Sequence, residues 1–308
     1  MKLLVTNDDG VAATGLHVLA RTLVEAGYDV VVAAPDGERS GASAALGHLR
    51  LDQALPVEAV DVEGLEGVPV WAVGGPPGLC VLAARLGGFG DPPDLIVSGI
   101  NSGANTGRAV LHSGTIGAAL TAANFGASGI AVSLDVASLM FHEAAGRGAA
   151  PSGNGAARVD GAAGEDVTAE VVPGPETGPD DDPLAGALWQ TAATVATSFV
   201  DWVAGQPKGT VLNVNVPNRP LDELAGVRLA RLAPFGTVRT GVADQASRNG
   251  NGLQLRLRPT QADMPAGSDT ALVAEGFVTI TPLRGIDIDE SVDVSGALAV
   301  AAGGAGRT

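Results

Sequence analysis

The sequence predicts an α/β protein: a Rossmann-like, doubly wound, mainly parallel sheet with a hairpin-rich C-terminal extension. Three observations lead there. Short apolar runs suited to buried strands, Leu3-Leu4-Val5 and Val30-Val31-Val32-Ala33-Ala34 among them, alternate with helical patterns. The first strand, helix and second strand fit within about 35 residues, a βαβ unit whose parallel strands are joined by a right-handed crossover. The strands end in polar loops, and an open parallel sheet binds ligands at that carboxyl edge, near the switch point where a first strand usually lies.

Each element follows from local chemistry. Leu16, Leu19, Ala20 and Leu23 recur at helical spacing on one face, with Thr14 as the expected N-cap and Gly27 as the stop. The second strand closes at Pro35-Asp36 and feeds a loop running to Ser43. Residues 44–67 suggest a small hairpin, and Val68 to Val73 a strand. Gly74 to Gly78 reads as a turn in which Pro77 suits a first helical position, and the helix continues through Cys80, Val81 and Ala84. Asp94 to Ser98 reads as a strand feeding the longest polar loop of this half, Ser98 to Gly107. A helix with Ile116, Ala119, Leu120 and Ala123 on one face precedes a strand from Ile130 to Leu134.

Residues 143–183 hold nine acidic and two basic residues with no sustained period, and are expected to form a solvated, mobile insertion. A helix bearing Leu188, Ala192, Val195, Phe199 and Val203 and a strand from Thr210 to Val216 then resume the pattern. Strand candidates near 227–232, 253–258 and 277–283 suggest antiparallel hairpins. The expected division is therefore a core over 1–142, the insertion, a continuation of the core over 184–225, a hairpin-rich oligomerisation region over 226–300 and a frayed tail over 301–308.

Composition narrows the function. The 308 residues carry 18 Lys and Arg against 34 Asp and Glu, and a net charge of −16 with no basic stripe disfavours a nucleic-acid polymer or an anionic membrane. A small anion remains compatible, because a site can supply its own cation and backbone amides. The single cysteine, Cys80, excludes a disulfide framework and reads as a buried structural thiol. With neither a leader pattern nor an apolar run of about 20 residues, the expected location is the cytoplasm.

The chemistry-bearing residues gather at strand ends. Asn7-Asp8-Asp9-Gly10 follows the first strand, and adjacent strand residues point to opposite faces, so the two acids converge only where the strand has ended. Two readings stand: one acid caps the next helix while its neighbour is solvated, or both bind a cation. Ser40 and Asn101 lie in loops at the same edge, and the resulting set of carboxylate, hydroxyl and amide oxygens suits Mg²⁺, Mn²⁺ or Ca²⁺. No His/Cys pair at zinc spacing exists; His17, His48 and His142 read as structural or solvent-facing, while His112 draws attention by preceding Ser113. Ser113-Gly114-Thr115 starts a helix, where free amides and the dipole favour an anion, although Ser113 or Thr115 also reads as an ordinary N-cap. Neither a P-loop ending nor a dinucleotide fingerprint is present. A cation and an anion seat on one edge are what metal-assisted phosphoester hydrolysis requires.

At this point the sequence resembles the SurE family, the survival-protein-E nucleotidases. The resemblance rests on Asn7 to Gly10, Arg39 to Ser43, Ser98 to Gly107, Ser113 to Ala119, Leu212-Asn213-Val214-Asn215-Val216-Pro217, and Gly267-Ser268-Asp269-Thr270 with Thr279 to Leu283. It implies a metal-dependent phosphatase acting on nucleoside 5′- and 3′-monophosphates. Asp8, Asp9, Ser40 and Asn101 would ligate one divalent cation per subunit, with Asp8 and Asp9 catalytic. Asn7, Ser43, Asn105, Ser113, Gly114 and Thr115 would line the phosphate site. Family members form dimers or tetramers that exchange C-terminal segments. The chain departs from the pattern at Gly75-Pro76-Pro77-Gly78-Leu79-Cys80-Val81, which lacks a hydroxyl and a carboxylate, in its long insertion, and in having no histidine after His142. Alternatives are a nucleotide-binding regulator with weak turnover, a broad-specificity phosphatase, and another hydrolase such as a deacetylase or nucleosidase.

Overall fold

The computed structural model describes residues 1–47, 54–137, 139, 184–242, 255–260 and 263–285. The expected insertion at 143–183, His48, His142 and the tail over 301–308 lie outside them.

The apolar runs become strands β1 (Lys2–Thr6), β2 (Asp29–Pro35), β3 (Val57–Ala59), β4 (Val70–Val73), β5 (Leu95–Ser102), β6 (Ser128–Asp135) and β7 (Val211–Pro217). Helices α1 (Thr14–Glu25), α2 (Pro77–Arg85), α3 (Gly114–Asn124) and α4 (Trp189–Ala204) lie among them. The C-terminal third adds β8 (Val227–Leu229), β9 (Val238–Val242), β10 (Leu255–Pro259), the short α5 (Asp269–Ala274) and β11 (Val278–Leu283). Among the described residues the main sheet runs β3-β4-β2-β1-β5-β6-β7-β11-β8, with β4 through β7 mutually parallel. Strand order reverses beside β1, between β2 and β5, so the loop after β1 opens at the switch point.

The strands read as unbroken apolar runs because both faces are covered. Leu3 and Val5 of β1 join Val30, Val32, Leu95 and Val97 in one core with Leu16, Leu19 and Leu23 of α1 and Ala192, Ala196 and Val200 of α4. Leu4 points the other way, toward Val31 and Ile96, with Cys80, Val81 and Ala84 of α2 and Ala118 and Ala122 of α3. Each fully buried leucine contributes about 2 kcal/mol through lost water contact. Cys80 is the buried thiol the sequence predicts, and burial pushes its pKa up to about 12.

Some elements differ in detail from the sequence expectations. Thr14 does not cap α1; it is the first helical residue, and Ala13 occupies the cap without a side-chain bond. The turn in which Ala13 N–H donates to Gly10 O sets the helix start one residue early, so the cap falls on an alanine that has no side-chain acceptor. Of residues 44–67, expected to hold a small hairpin, the described part supplies one strand, β3, which pairs antiparallel with the separately expected strand β4. The C-terminal segments divide: β9 and β10 pair as an antiparallel hairpin, whereas β11 adds to β7 antiparallel and β8 joins β11 parallel. The alternating pattern of 277–283 specifies a strand but not its partner. No helix among the described residues is long and apolar enough to cross a membrane.

Two glycines fix where the loops of the carboxyl edge run. Gly99 (φ +136°) sits at the irregularity of β5 between Ser98 and Asn101, and a Cβ there would lie 2.3 Å from Val132 O. Gly117 of α3 lets the loop containing Ser43 cross the helix: its Cβ would stand 1.9 Å from Ser43 O and 2.2 Å from the carbonyl carbon. An alanine normally stabilises a helix interior by about 1 kcal/mol relative to glycine. Here the sign reverses. Gly117→Ala should lower stability by about 1–3 kcal/mol, as overpacking does, and thermal denaturation would check it; an unchanged or raised Tm would show that the Ser43 loop yields.

Candidate active site

The loop after β1 is a braced turn. Asn7 Nδ2 donates to Gly10 O at 3.0 Å and Gly10 N–H donates to Asn7 Oδ1 at 3.2 Å, so both ends of the buried Asn7 amide shape the turn. Because β1 has ended at Thr6, Asp8 and Asp9 are freed from strand alternation. Asp8 turns toward α3, where its Oδ2 accepts from Gly114 N–H at 3.1 Å and its Oδ1 from Thr115 Oγ1 at 2.5 Å. Asp9 accepts from Ser102 Oγ at 3.2 Å. Arg39 N–H donates to Asp8 O at 2.7 Å, binding the loop after β2 to the same turn.

Asn101 completes this cluster. Its Nδ2 donates to Gly103 O at 2.6 Å, which fixes the amide so that Oδ1 faces Thr115 Oγ1 at 3.2 Å. One hydroxyl hydrogen serves one short bond, and the shorter contact is to Asp8. Asn101 Oδ1 is thereby left as an acceptor beside the hydroxyl that bonds Asp8.

The electrostatics follow from this crowding. Burial raises the Asp8 pKa, partly offset by the Thr115 hydroxyl. Burial also raises that of Asp9, to about 7, with the Asp8 charge and then Glu38 adding to it. Among the described residues neither carboxylate has an ion-pair partner; the bridge present joins Arg39 to Asp36. Nor does any group of three or more His, Cys, Asp and Glu side chains among them form a metal cluster. A cation bound here would have to be completed by neutral oxygens, and Asn101 Oδ1, beside Thr115, is one at hand. The donor set, two carboxylates and an amide carbonyl with nothing positive among them, fits a hard divalent ion.

The other expected site residues fall around this centre in different ways. Ser40 is exposed and its Oγ donates to Glu38 at 2.9 Å, so its loop reaches the site while its hydroxyl faces that carboxylate. Ser43, at φ +52°, donates to Leu111 O at 2.7 Å. Ser113 is the N-cap of α3, accepting from Ile116 N–H at 3.2 Å. With Ser113 capping and Gly114 and Thr115 bonded to Asp8, the anion held at this helix N-terminus is the chain's own carboxylate. Asn105 Nδ2 donates to Ser133 Oγ at 2.9 Å. His112 is exposed, and His17 bonds Val11 O at 2.7 Å in the structural role expected of it.

Sequence reasoning missed Ser102 and Glu38, which flank Asp9, and Trp189. These border a cleft of about 480 Å³ with Asp9, Thr14 and Ile100. Ser102 sat beside Asn101 in a loop already singled out; Trp189 offered no local signal, because only the packing of α4 on α1 brings it there.

The family model for Survival protein SurE matches residues 3–236. The chain belongs to the SurE family. It is 34% identical over 287 residues to a Gloeobacter violaceus protein named 5'-nucleotidase SurE, covering 92% of this chain and 90% of that one. A Legionella pneumophila protein of the same name is 33% identical over 286 residues, 92% and 91% of the two chains. The crystal structure of the SurE protein from Aquifex aeolicus superposes with a TM-score of 0.67 over 98% of this chain and all of that one. At 23% identity that likeness speaks for the shared α/β fold.

The unpaired acids give this family member a test independent of turnover. Relative to its unfolded value of 3.8, the raised Asp9 pKa means stability present at low pH is lost as pH rises toward about 7. Metal-free Asp9→Asn should therefore be more thermostable than wild type near about pH 8, the difference closing below about pH 4. Saturating Mn²⁺ or Mg²⁺ should raise the wild-type Tm and move Asp9→Asn much less. Equal cation-induced shifts in both proteins would remove Asp9 from the ligand set.

Proposed function

We propose that the protein is a metal-dependent phosphomonoesterase that hydrolyses nucleoside 5′-monophosphates, and 3′-monophosphates, to nucleoside and phosphate. The observation that carries this reading is the pair of buried Asp8 and half-buried Asp9 at the switch point, with Asn101 Oδ1 beside the Thr115 hydroxyl that bonds Asp8 and no positive partner for either acid among the described residues. A bound Mg²⁺ or Mn²⁺ would polarise the phosphoryl oxygen and lower the pKa of a water. Asp8, Asp9 and Asn101 would hold it, with Ser40 reaching it by rotating its exposed hydroxyl away from Glu38. Asn105, whose second Nδ2 hydrogen is left over from the bond to Ser133, would donate to the phosphate. Water oxygen attacks phosphorus, the ester P–O bond breaks, and the nucleoside oxygen leaves with a proton.

The cleft beside Asp9 suits the nucleoside. Trp189 offers an aromatic face and Thr14 and Ser102 offer hydroxyls, while Glu38 and Asp9 make it unfavourable for further phosphates. Dimers or tetramers that exchange C-terminal segments fit a groove of about 960 Å³ whose apolar lining includes Val110, Leu111, Leu120, Leu232 and Leu283. A second reading, nucleotide binding with weak turnover, is favoured by one observation: the donors at the start of α3 are already taken by Asp8.

Purified protein should release phosphate from AMP with Mn²⁺ or Mg²⁺, EDTA should abolish release, and Asp8→Asn should lower kcat by about 10²-fold or more. Nucleotide binding without phosphate release over a substrate panel would select the second reading. Trp189→Leu should raise KM for AMP about 10-fold while leaving p-nitrophenyl phosphate nearly unaffected, as loss of one stacked base would; equal effects on both substrates would move the nucleoside out of this cleft.

A further inference from the structure

Two polar side chains interrupt the apolar strand β7. Asn213 and Asn215 are both fully buried, on the face opposite the core residues Leu212, Val214 and Val216. Asn215 pairs with the main chain of Asn105 as a neighbouring strand would: its Oδ1 accepts from Asn105 N–H at 2.7 Å and its Nδ2 donates to Asn105 O at 3.0 Å. Asn213 Nδ2 donates to the same carbonyl at 2.9 Å. From β6, Ser133 orients the Asn105 side chain. Two residues on, the buried Asp269 takes Gly107 N–H on Oδ2 and Ala233 N–H on Oδ1, each at 2.8 Å. The loop after β5 is thus gripped at Asn105 and again at Gly107, where a 3₁₀ helix (Gly107–His112) begins.

A purely structural purpose explains this poorly. Asn213 Oδ1 is buried with no hydrogen-bond partner among the described residues, a cost that an apolar residue on the same strand would avoid. We propose that Asn213, Asn215 and Asp269 are positioning residues for the reaction: a clamp from the C-terminal third that fixes Asn105 relative to Asn101 and Asp8. The side-chain amide of Asn215 leaves the Asn105 main chain no freedom to swing, so the Asn105 amide meets the phosphate already oriented. The inference rests on the phosphatase reading, in which Asn105 touches phosphate, and it makes the last third of the chain part of the site as well as of any assembly.

The test compares Asn215→Ala with Val214→Ala, a core-cavity variant of the same strand that controls for stability. Hydrogen exchange should show loss of protection at the Asn105 amide in Asn215→Ala and not in Val214→Ala. KM for AMP and the inhibition constant for inorganic phosphate should rise roughly 10-fold in Asn215→Ala, while the Mn²⁺-induced Tm shift is retained. Val214→Ala should lose Tm with neither constant moved. Should Asn215→Ala not fold, Asn213→Ser, which removes one donor and the unpartnered Oδ1, takes its place with the same expected directions. Unchanged exchange at Asn105, or kinetic constants that track Tm equally in both variants, would overturn the clamp. A wild-type protein that releases no phosphate overturns the phosphatase reading instead, and the exchange experiment still decides whether the clamp exists.

Discussion

The carboxylate of Asp8 at the start of α3 is the contact on which the rest of the site depends. Helix N-termini present unpaired amides and a positive dipole end, and a buried carboxylate needs both. Gly114 and Thr115 supply the donors, and in doing so they dock α3 onto the end of β1 across 106 and 107 residues of sequence. The backbone of Asp8 binds Arg39, and Thr115 reaches on to Asn101. Asp8 therefore registers its own turn against α3 through the side chain and against the loop after β2 through the main chain, with Asn101 reached by way of Thr115. Removing its charge would weaken the two bonds from α3, whereas the bond from Arg39 falls on the main-chain carbonyl.

Asp9 lacks this arrangement. Among the described residues its donor is Ser102; desolvation raises its pKa to about 7, with the Asp8 charge and then Glu38 adding to it, whereas the Thr115 hydroxyl and then the helix amides partly offset the burial of Asp8. Two adjacent acids thus have separate duties: one is held by the fold, and the other is left under-satisfied toward the cleft. An under-satisfied, half-buried acid is a cost to folding that a bound cation would offset, and selection for stability alone would favour its replacement.

Much of this was legible in the sequence. Apolar runs with helical patterns between them give the βαβ units directly, because strands buried on both faces cannot carry polar alternation. Asp8, Asp9 and Asn101 were legible because each stands just past an apolar run, where the chain must turn at the carboxyl edge. The occupant of the α3 N-terminus was not. Sequence marks the anion seat, yet the chain's own Asp8 competes for it at high effective concentration, and only the fold shows that it takes it. Ser40 and Ser43 share that difficulty: short hydroxyl side chains find local acceptors, Glu38 and Leu111 O, that spacing does not reveal. Trp189 was hidden for another reason, since its place beside the site comes from α4 packing on α1 after a long intervening stretch. Asn213 and Asn215 were visible as polar intrusions in an apolar strand, but their partner is a main chain, which carries no sequence signal.

The separation of chemistry from support has a consequence for how the site is built. Asp8, Asp9, Asn101 and Asn105 all lie in the first 105 residues, and the parallel strands around them pair without help from the rest. Asn105 is nevertheless held by Asn215 across 110 residues and Gly107 by Asp269 across 162. Such closures are entropically late, because long loops must be ordered before their contacts reward them. The N-terminal half can thus set up the acid turn early, whereas the loop holding Asn105 gains its geometry only once β7 and α5 have docked. A chain that has folded its first βαβ units has the acid turn and lacks the alignment of Asn105, so under the proposed clamp the integrity of the C-terminal third would govern catalysis even where it touches no substrate.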